Sequence, residues 1–168
     1  AVMRRIDNGF LNDFVVASRK TNGLTLLDKK GAASLAEEHL KNGALVGFIG
    51  DQDAGRKGLF VDFFGRQAST YKSIGLLAMA MKVPVIVGYA RRMSQTSRYQ
   101  VGVQRILYPK DWEDQADPLR WITQEYTRAI EEFVREDPRQ YLWIHRRWKS
   151  QPPVRNAAPI GAWRIRHT

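Results

Sequence analysis

Helical patterns alternate with short apolar runs along this chain, and the alternation limits the folds open to it. Residues 32–42 carry a helix-forming pattern that ends at Gly43, and residues 44–50 (ALVGFIG) then form an apolar run typical of a buried strand. A second pair follows, with a helix predicted at 70–81 and a buried strand at 83–92. This order favours an α/β sheet with helices on both faces.

Two further elements complete the predicted fold. Residues 98–106 (RYQVGVQRI) alternate in polarity, which predicts a partly exposed antiparallel strand. A long helix is predicted from Asp117-Pro118, a good N-cap and first-turn pair, to the stop at Asp137-Pro138.

The overall composition suggests one domain with an anionic partner. The chain has 168 residues, 43% of them hydrophobic, and 27 Lys and Arg against 17 acids give a net charge of +10. Such a charge fits nucleic acid, an anionic membrane surface, a phosphorylated lipid or an acidic carrier protein. The absence of cysteine excludes disulfides and thiolate chemistry, and no apolar run is long enough to span a bilayer.

Two acids follow the predicted strand 44–50. Asp51 and Asp53 therefore lie where open α/β sheets usually bind ligands, at the carboxyl end of a strand. A calcium loop is disfavoured because its sixth position, which requires glycine, is Arg56. The sequence also lacks a nucleotide-binding glycine motif and a GxSxG elbow, and its three histidines form no metal-ligand pattern.

A second dense group of polar and aromatic residues is the stretch 138–153 (PRQYLWIHRRWKSQPP), here called the closing segment. It contains no acid, and none follows it to the end of the chain. One interpretation is a terminal helix that buries Tyr141, Leu142 and Ile144 and leaves its cations in solvent. The others are binding of an anionic lipid or phosphate, and stacking on single-stranded nucleic acid.

Five segments occur in a recognisable order. They are NDFVVASRK, DQDAG, GLFVDFFGRQAST, KVPVIVGYARR and PRQYLWIHRRWKSQP. Together they resemble the late acyltransferases of lipid A biosynthesis, the lauroyl and myristoyl transferases of the lysophospholipid acyltransferase superfamily. The resemblance runs from about Arg4 to Pro152 and implies a glycerol-phosphate acyltransferase-like fold. That fold is mixed α/β, with a largely parallel sheet flanked by helices, here incomplete at the N-terminal side.

The resemblance also implies an activity. Such enzymes transfer a fatty acyl chain from an acyl carrier protein thioester to a hydroxyl of a phosphorylated glucosamine lipid, at the cytoplasmic face of the bacterial inner membrane. No other cofactor is implied. The acidic carrier protein, the phosphorylated acceptor and the anionic membrane surface all suit the +10 charge, and no nucleic acid is expected. The alternative is a non-catalytic basic module that binds anionic lipid or nucleic acid.

The catalytic signature of that family, a His followed after four residues by Asp or Glu, is not found in this sequence. The residue at that position is Ala44 after His39 and Ser150 after His145. We therefore expect residues 1–150 to be the C-terminal portion of one acyltransferase domain, inactive alone. The base and any membrane anchor are expected upstream, and residues 151–168 are expected to form a basic, Pro-containing tail.

The resemblance implies roles for individual residues. Arg19 matches an arginine suited to binding a phosphate or a developing oxyanion, and Asp51 matches an acid that positions the acceptor or holds Arg19. These two are the predicted catalytic residues, and no metal ligand is predicted. The predicted substrate-binding residues are Arg4, Asp53, Gly55, Phe60, Phe63, Phe64, Arg91, Arg92, His145, Arg146 and Arg147. Among them the phenylalanines belong to an apolar run, 59–64, that would border an acyl chain or simply form a core strand.

Overall fold

The computed structural model describes residues 1–3, 6–21, 23–28, 32–94 and 97–153, which form a mixed α/β arrangement. Within these residues, no helix combines the length and apolar content needed to cross a membrane. In chain order the elements are β1 (Val2–Met3), α1 (Gly9–Lys20), β2 (Leu27–Asp28), α2 (Ala32–Lys41), β3 (Leu59–Phe63), β4 (Arg66–Thr70), α3 (Ser73–Met81), β5 (Val85–Arg92), β6 (Tyr99–Leu107), α4 (Pro109–Trp112) and α5 (Pro118–Glu136), followed by the 3₁₀ helices Pro138–Gln140 and Trp143–His145.

The strands of the described residues form three separate pairs. β3 with β4 and β5 with β6 are antiparallel, whereas β1 and β2 form a short parallel pair. The predicted antiparallel partner of β5 is confirmed, but the predicted largely parallel sheet is not. Residues 44–50, expected to be a strand, make no ladder in the described part of the chain; one backbone bond joins the Val2 N–H to the Gly47 carbonyl at 3.1 Å. Apolarity predicted this strand, but a ladder also needs a neighbouring strand.

Helix α5 organises the core. It begins as predicted, with the Asp117 side chain accepting a hydrogen bond from the Arg120 N–H at 2.9 Å, and it packs on β3, β5 and β6. Ile122 and Ala129 are fully buried. The rings of Tyr89 and Phe133 stack with centroids 4.6 Å apart, which joins β5 to α5. Burial of one large apolar side chain contributes about 1.5–3 kcal/mol, so this interface is a main source of stability.

The start of α3 differs from the prediction. The helix begins at Ser73, because Ser69 and Thr70 are fully buried in β4, paired with Phe60 and Leu59 of β3. The residue at the N-cap position is Lys72, and the Ser69 and Thr70 hydroxyls donate to the Gly55 and Ala68 carbonyls instead of capping the helix.

The closing segment does not form the terminal helix that one interpretation expected. It contains the two 3₁₀ helices, and Leu142 and Ile144 are 55% and 80% exposed. Tyr141 is half-buried, whereas Arg147, expected in that interpretation to be solvated, is only 3% exposed. Arg146 has a left-handed backbone with φ of 43°, so the chain turns sharply between the exposed part of the segment and its buried part.

Candidate functional site

The five residues 51–55, here called the acidic turn, contact the closing segment through Asp53. One carboxylate oxygen of Asp53 accepts hydrogen bonds from the Gly55 N–H at 3.0 Å and the Ser150 hydroxyl at 2.9 Å. The other oxygen accepts a bond from the Ser150 N–H at 3.1 Å. Gly55 has a φ of 73°, which suits glycine. Asp53 therefore joins two segments that lie 97 residues apart in sequence.

The other side of the acidic turn packs on β4. The Ala54 N–H donates to the Ser69 carbonyl at 3.2 Å, and the Ser69 hydroxyl donates to the Gly55 carbonyl. A Cβ at Gly58 would lie 2.1 Å from the Ser69 hydroxyl oxygen, so only glycine fits there. The acidic turn is held from both sides.

Arg147 fixes the closing segment to the same strand. Its guanidinium donates to the Ser69 carbonyl and to the Thr70 hydroxyl, each at 2.6 Å, and lies 5.3 Å from the ring centroid of Phe63. Burial lowers the pKa of the Arg147 guanidinium, and neighbouring groups, including Tyr141, oppose that shift. An arginine nevertheless stays charged at neutral pH. Arg147 thus faces the protein interior and acts here as a structural cation.

Tyr141 completes the link between the closing segment and the acidic turn. Its hydroxyl donates to the Asp51 carbonyl at 3.1 Å, and burial raises the pKa of Tyr141 to about 12. The phenol is therefore neutral, and able to donate, near neutral pH. Its ring belongs to an aromatic cluster with centroid separations of 6.2 Å to Phe63 and 4.8 Å to Trp143.

The two acids of the turn differ in availability. Both carboxylate oxygens of Asp53 accept hydrogen bonds from internal donors, whereas the half-buried Asp51 has a fixed backbone and a carboxylate with no hydrogen-bond or ion-pair partner among the described residues. A carboxylate held in this way can accept a hydrogen bond from a hydroxyl of another molecule. Asp51 is the predicted site residue whose geometry best fits contact with a substrate.

Two of the predicted site arginines belong to the N-terminal part of the chain. Arg4 lies outside the described residues. Arg19 is half-buried in the last turn of α1, where its charge adds to burial in lowering the pKa of the Ala1 amino group. Asp51 makes no ion pair with Arg19, so the predicted salt bridge is absent, and the other role expected of Arg19 stays a prediction.

Arg91 and Arg92 lie together at the end of β5, as predicted. Arg91 donates to Glu136 at 3.2 Å and to Gln100 at 2.8 Å. The Arg92 N–H and carbonyl bond the side chain of Gln140, and the Arg92 guanidinium donates to the Tyr99 hydroxyl at 2.9 Å. Both arginine side chains therefore bond neighbouring side chains of the protein, at its surface. An open cavity of about 740 Å³ lies beside them, lined in part by Arg92, Tyr99, Arg139 and Gln140.

The predicted phenylalanines have different environments. Phe63 is 1% exposed and belongs to the core strand β3, which was one of the two interpretations of this run. Phe60 and Phe64 are half-buried, and the Phe64 N–H donates to Glu131 at 2.6 Å. A role for this run beside an acyl chain stays a prediction. The remaining predicted residues, His145 and Arg146, are exposed on the closing segment.

Sequence reasoning missed the hydroxyl groups that assemble this site. The hydroxyls of Ser150, Ser69 and Thr70 bond the predicted site residues Asp53, Gly55 and Arg147, respectively. No pattern identifies Ser150. The hairpin that carries the other two could have been recognised, because two apolar-containing strands flank the two residues Phe64-Gly65.

Comparison with known proteins covers the same part of the chain. The family model of bacterial lipid A biosynthesis acyltransferases matches residues 1–150. A lipid A biosynthesis lauroyltransferase of Escherichia coli (strain K12) is 27% identical over 153 residues, which are 90% of this chain and 48% of that protein. A lipid A biosynthesis palmitoleoyltransferase of the same strain is 33% identical over 117 residues, 67% of this chain and 36% of that protein.

A lipid A biosynthesis acyltransferase of Haemophilus influenzae (strain ATCC 51907 / DSM 11121 / KW20 / Rd) is 30% identical over 107 residues, 63% of this chain and 32% of that protein. The chain thus spans about half the length, or less, of the curated relatives it matches. The alternative of a non-catalytic basic module gains no support from these matches. The match over residues 1–150 shows that the chain belongs to the bacterial lipid A biosynthesis acyltransferase family.

Proposed function

We propose that the protein transfers a fatty acyl chain from an acyl carrier protein thioester to a hydroxyl of a phosphorylated glycolipid, a lipid A precursor. The observation that carries this proposal is the family match over residues 1–150. The net charge of +10 supports it, because both the carrier protein and the acceptor are anionic. The reaction takes place at the cytoplasmic face of the bacterial inner membrane and needs no cofactor beyond the thioester donor.

The proposed reaction is an acyl transfer assisted by a general base. The acceptor hydroxyl attacks the thioester carbonyl carbon while a base removes its proton, and the C–S bond breaks as the carrier thiolate leaves and is protonated. The base is the His of a His-x4-Asp or His-x4-Glu motif, which is not among these 168 residues. We assign it to another part of the protein, with the carboxylate of the motif orienting the imidazole.

Asp51 has a positioning role in this proposal. Its carboxylate has no partner among the described residues, and its backbone is fixed by the Tyr141 hydroxyl, so it offers a preset acceptor for a sugar hydroxyl. Arg19, Arg4 and Arg92 supply cations for the phosphates of the acceptor or for the developing oxyanion. The half-buried Phe60 and Phe64 border the acyl chain.

The test uses the protein made from its full coding sequence, with radiolabelled lauroyl carrier protein and a phosphorylated lipid A precursor. Asp51→Asn should lower kcat/KM about 10- to 100-fold, because the acceptor is misplaced. Its melting temperature should not change, since the carboxylate has no partner among the described residues.

Asp114→Asn is the matched control, because Asp114 is an exposed acid that also lacks a bonding partner in the described residues. It should keep full activity. The proposal fails if the wild-type protein transfers no acyl group from any donor, and the role of Asp51 fails if the two variants are equally active.

A further inference from the structure

Three consecutive apolar side chains of the closing segment face solvent. Leu142, Trp143 and Ile144 are 55%, 47% and 80% exposed. Trp143 is held in place, because its indole N–H donates to the Pro138 carbonyl at 2.7 Å and its ring lies 6.0 Å from that of Phe64. An exposed apolar surface of this kind usually marks an interaction site. We call these three residues the ridge.

Several cations lie near the ridge, either through a shared aromatic neighbour or in sequence. The Arg135 guanidinium lies 4.5 Å from the ring centroid of Phe64, which itself contacts Trp143, and Arg66 lies 5.8 Å from that of Trp148. Arg139, with 89% of its side chain exposed, precedes the ridge. Two more exposed cations follow it in sequence, Arg146 and Lys149.

Most acids near these cations are already used by the protein. Asp137 accepts bonds from Arg139 and Gln140, and Glu131 accepts bonds from Arg135 and the Phe64 N–H. Asp62 accepts the Gly65 N–H, and Asp53 accepts bonds from Ser150, so that among the nearby acids named here only Asp51 has an unpartnered carboxylate. The exposed Arg66, Arg146 and Lys149 make no ion pair among the described residues, so the ridge is bordered by unpaired positive charge.

We call the cations near the ridge the cationic rim: Arg66, Arg135, Arg139, Arg146 and Lys149. We propose that the ridge and its cationic rim dock on the surface of an anionic lipid bilayer. Leu142, Trp143 and Ile144 enter the headgroup region, and the rim contacts lipid phosphates. The arginines suit this place because their stems can lie along apolar surface while their heads reach phosphate. The inference rests on the proposed function in one respect: it names the surface by which an enzyme with a lipid acceptor would approach its substrate.

A bilayer fits this surface better than single-stranded nucleic acid. Base stacking needs exposed aromatic faces, whereas the two most exposed ridge residues are the aliphatic Leu142 and Ile144. Trp143 is already packed between Tyr141 and Phe64, with centroid separations of 4.8 and 6.0 Å. Nucleic-acid binding therefore remains an outcome of the test.

The test places a probe on the ridge of the protein made from its full coding sequence, in a background without other cysteines. Ile144→Cys carries an environment-sensitive fluorophore, and Ile86→Cys is the matched control. Ile86 is also exposed, at 50%, but lies at the far end of β5, about 20 Å along the strand from Arg92. Vesicles of phosphatidylglycerol with phosphatidylcholine are compared with vesicles of phosphatidylcholine alone.

The probe at position 144 should shift to shorter wavelength and be quenched by lipid-attached quenchers in the anionic vesicles, and less so at high salt. The probe at position 86 should not respond. Adding Arg146→Gln and Lys149→Gln should weaken the vesicle response roughly 25-fold, since each cation near an anionic surface contributes roughly 5-fold. Lys82→Gln with Lys110→Gln, two exposed lysines elsewhere, should leave it unchanged.

Three results would overturn the proposal. The probe at position 144 could remain as solvent-exposed with anionic vesicles as without them. It could be equally shielded without lipid, which would mean that protein covers the ridge. It could respond to oligonucleotides and not to vesicles. Because the readout is local and needs no catalysis, its failure is distinct from a failure of acyl transfer, which is measured with detergent-dispersed acceptor.

Discussion

Replacing Arg147 with methionine removes the buried cation that ties the closing segment to β4. The methionine keeps the length and apolar character of the stem but cannot donate to the Ser69 carbonyl or the Thr70 hydroxyl, both 2.6 Å from the guanidinium. Both acceptors retain a partner, because the Ser69 carbonyl also accepts the Ala54 N–H and the Thr70 hydroxyl donates to the Ala68 carbonyl. The variant therefore loses bonds without leaving either group entirely unpaired.

The size of the effect follows from these contacts. A hydrogen bond from a charged donor contributes about 1.5–3 kcal/mol, and the cation near the Phe63 ring about 1 kcal/mol, which together bound the loss at about 7 kcal/mol. Removing a cation from a buried position recovers part of its desolvation cost. We expect the free energy of unfolding to fall by about 3 kcal/mol.

Urea unfolding followed by tryptophan fluorescence measures this loss. With a typical denaturant slope of about 1–3 kcal/mol/M, the midpoint should fall by about 1–3 M. Arg146→Met is the matched control, since the neighbouring arginine is exposed and the same substitution there should change the midpoint little. Equal midpoints for the two variants would refute the reasoning, because burial would then have no bearing on which arginine holds the segment.

Two further predictions concern the link between the closing segment and the acidic turn. Ser150→Ala removes the hydroxyl that donates to Asp53 at 2.9 Å and should lower the free energy of unfolding by about 1–2 kcal/mol in urea titrations. Ser97→Ala, at an exposed serine, should change it by less than about 0.5 kcal/mol; equal losses would contradict the link. For Tyr141, burial raises the pKa in the folded protein to about 12, above the ordinary tyrosine pKa of 10.0, so its contribution to stability is present below pH 10 and lost as pH rises towards 12. The urea midpoint of the wild type should fall more steeply over that range than that of Tyr141→Phe, and parallel profiles would count against the burial of this phenol.

Local patterns were sufficient to predict several elements. The N-cap Asp117 with Pro118, a long apolar stripe and the stop at Asp137-Pro138 predicted α5, because these signals act within one helix. The predicted β5 and β6 were confirmed as strands for a similar reason, since a β-rich apolar run and a period-two alternation are each properties of one segment. The prediction that β5 is buried was wrong, because every second residue of that strand is exposed. The succession of motifs also identified the family, which the family match over residues 1–150 confirms.

Only the tertiary structure decided which of two similar neighbours has which role. Arg146 and Arg147 are adjacent and of the same residue type, yet Arg146 is exposed whereas Arg147 is buried, with 3% of its surface exposed. Asp51 and Asp53 are both acids of one turn, yet Ser150 and Gly55 bond only the Asp53 carboxylate. The sequence by itself determined the helices α2 and α5, the strands β5 and β6, and the presence of two arginines and two acids. The tertiary structure decided which arginine is buried and which acid is bonded. Burial and hydrogen-bond partners come from segments up to 97 residues away, and no local pattern carries that information.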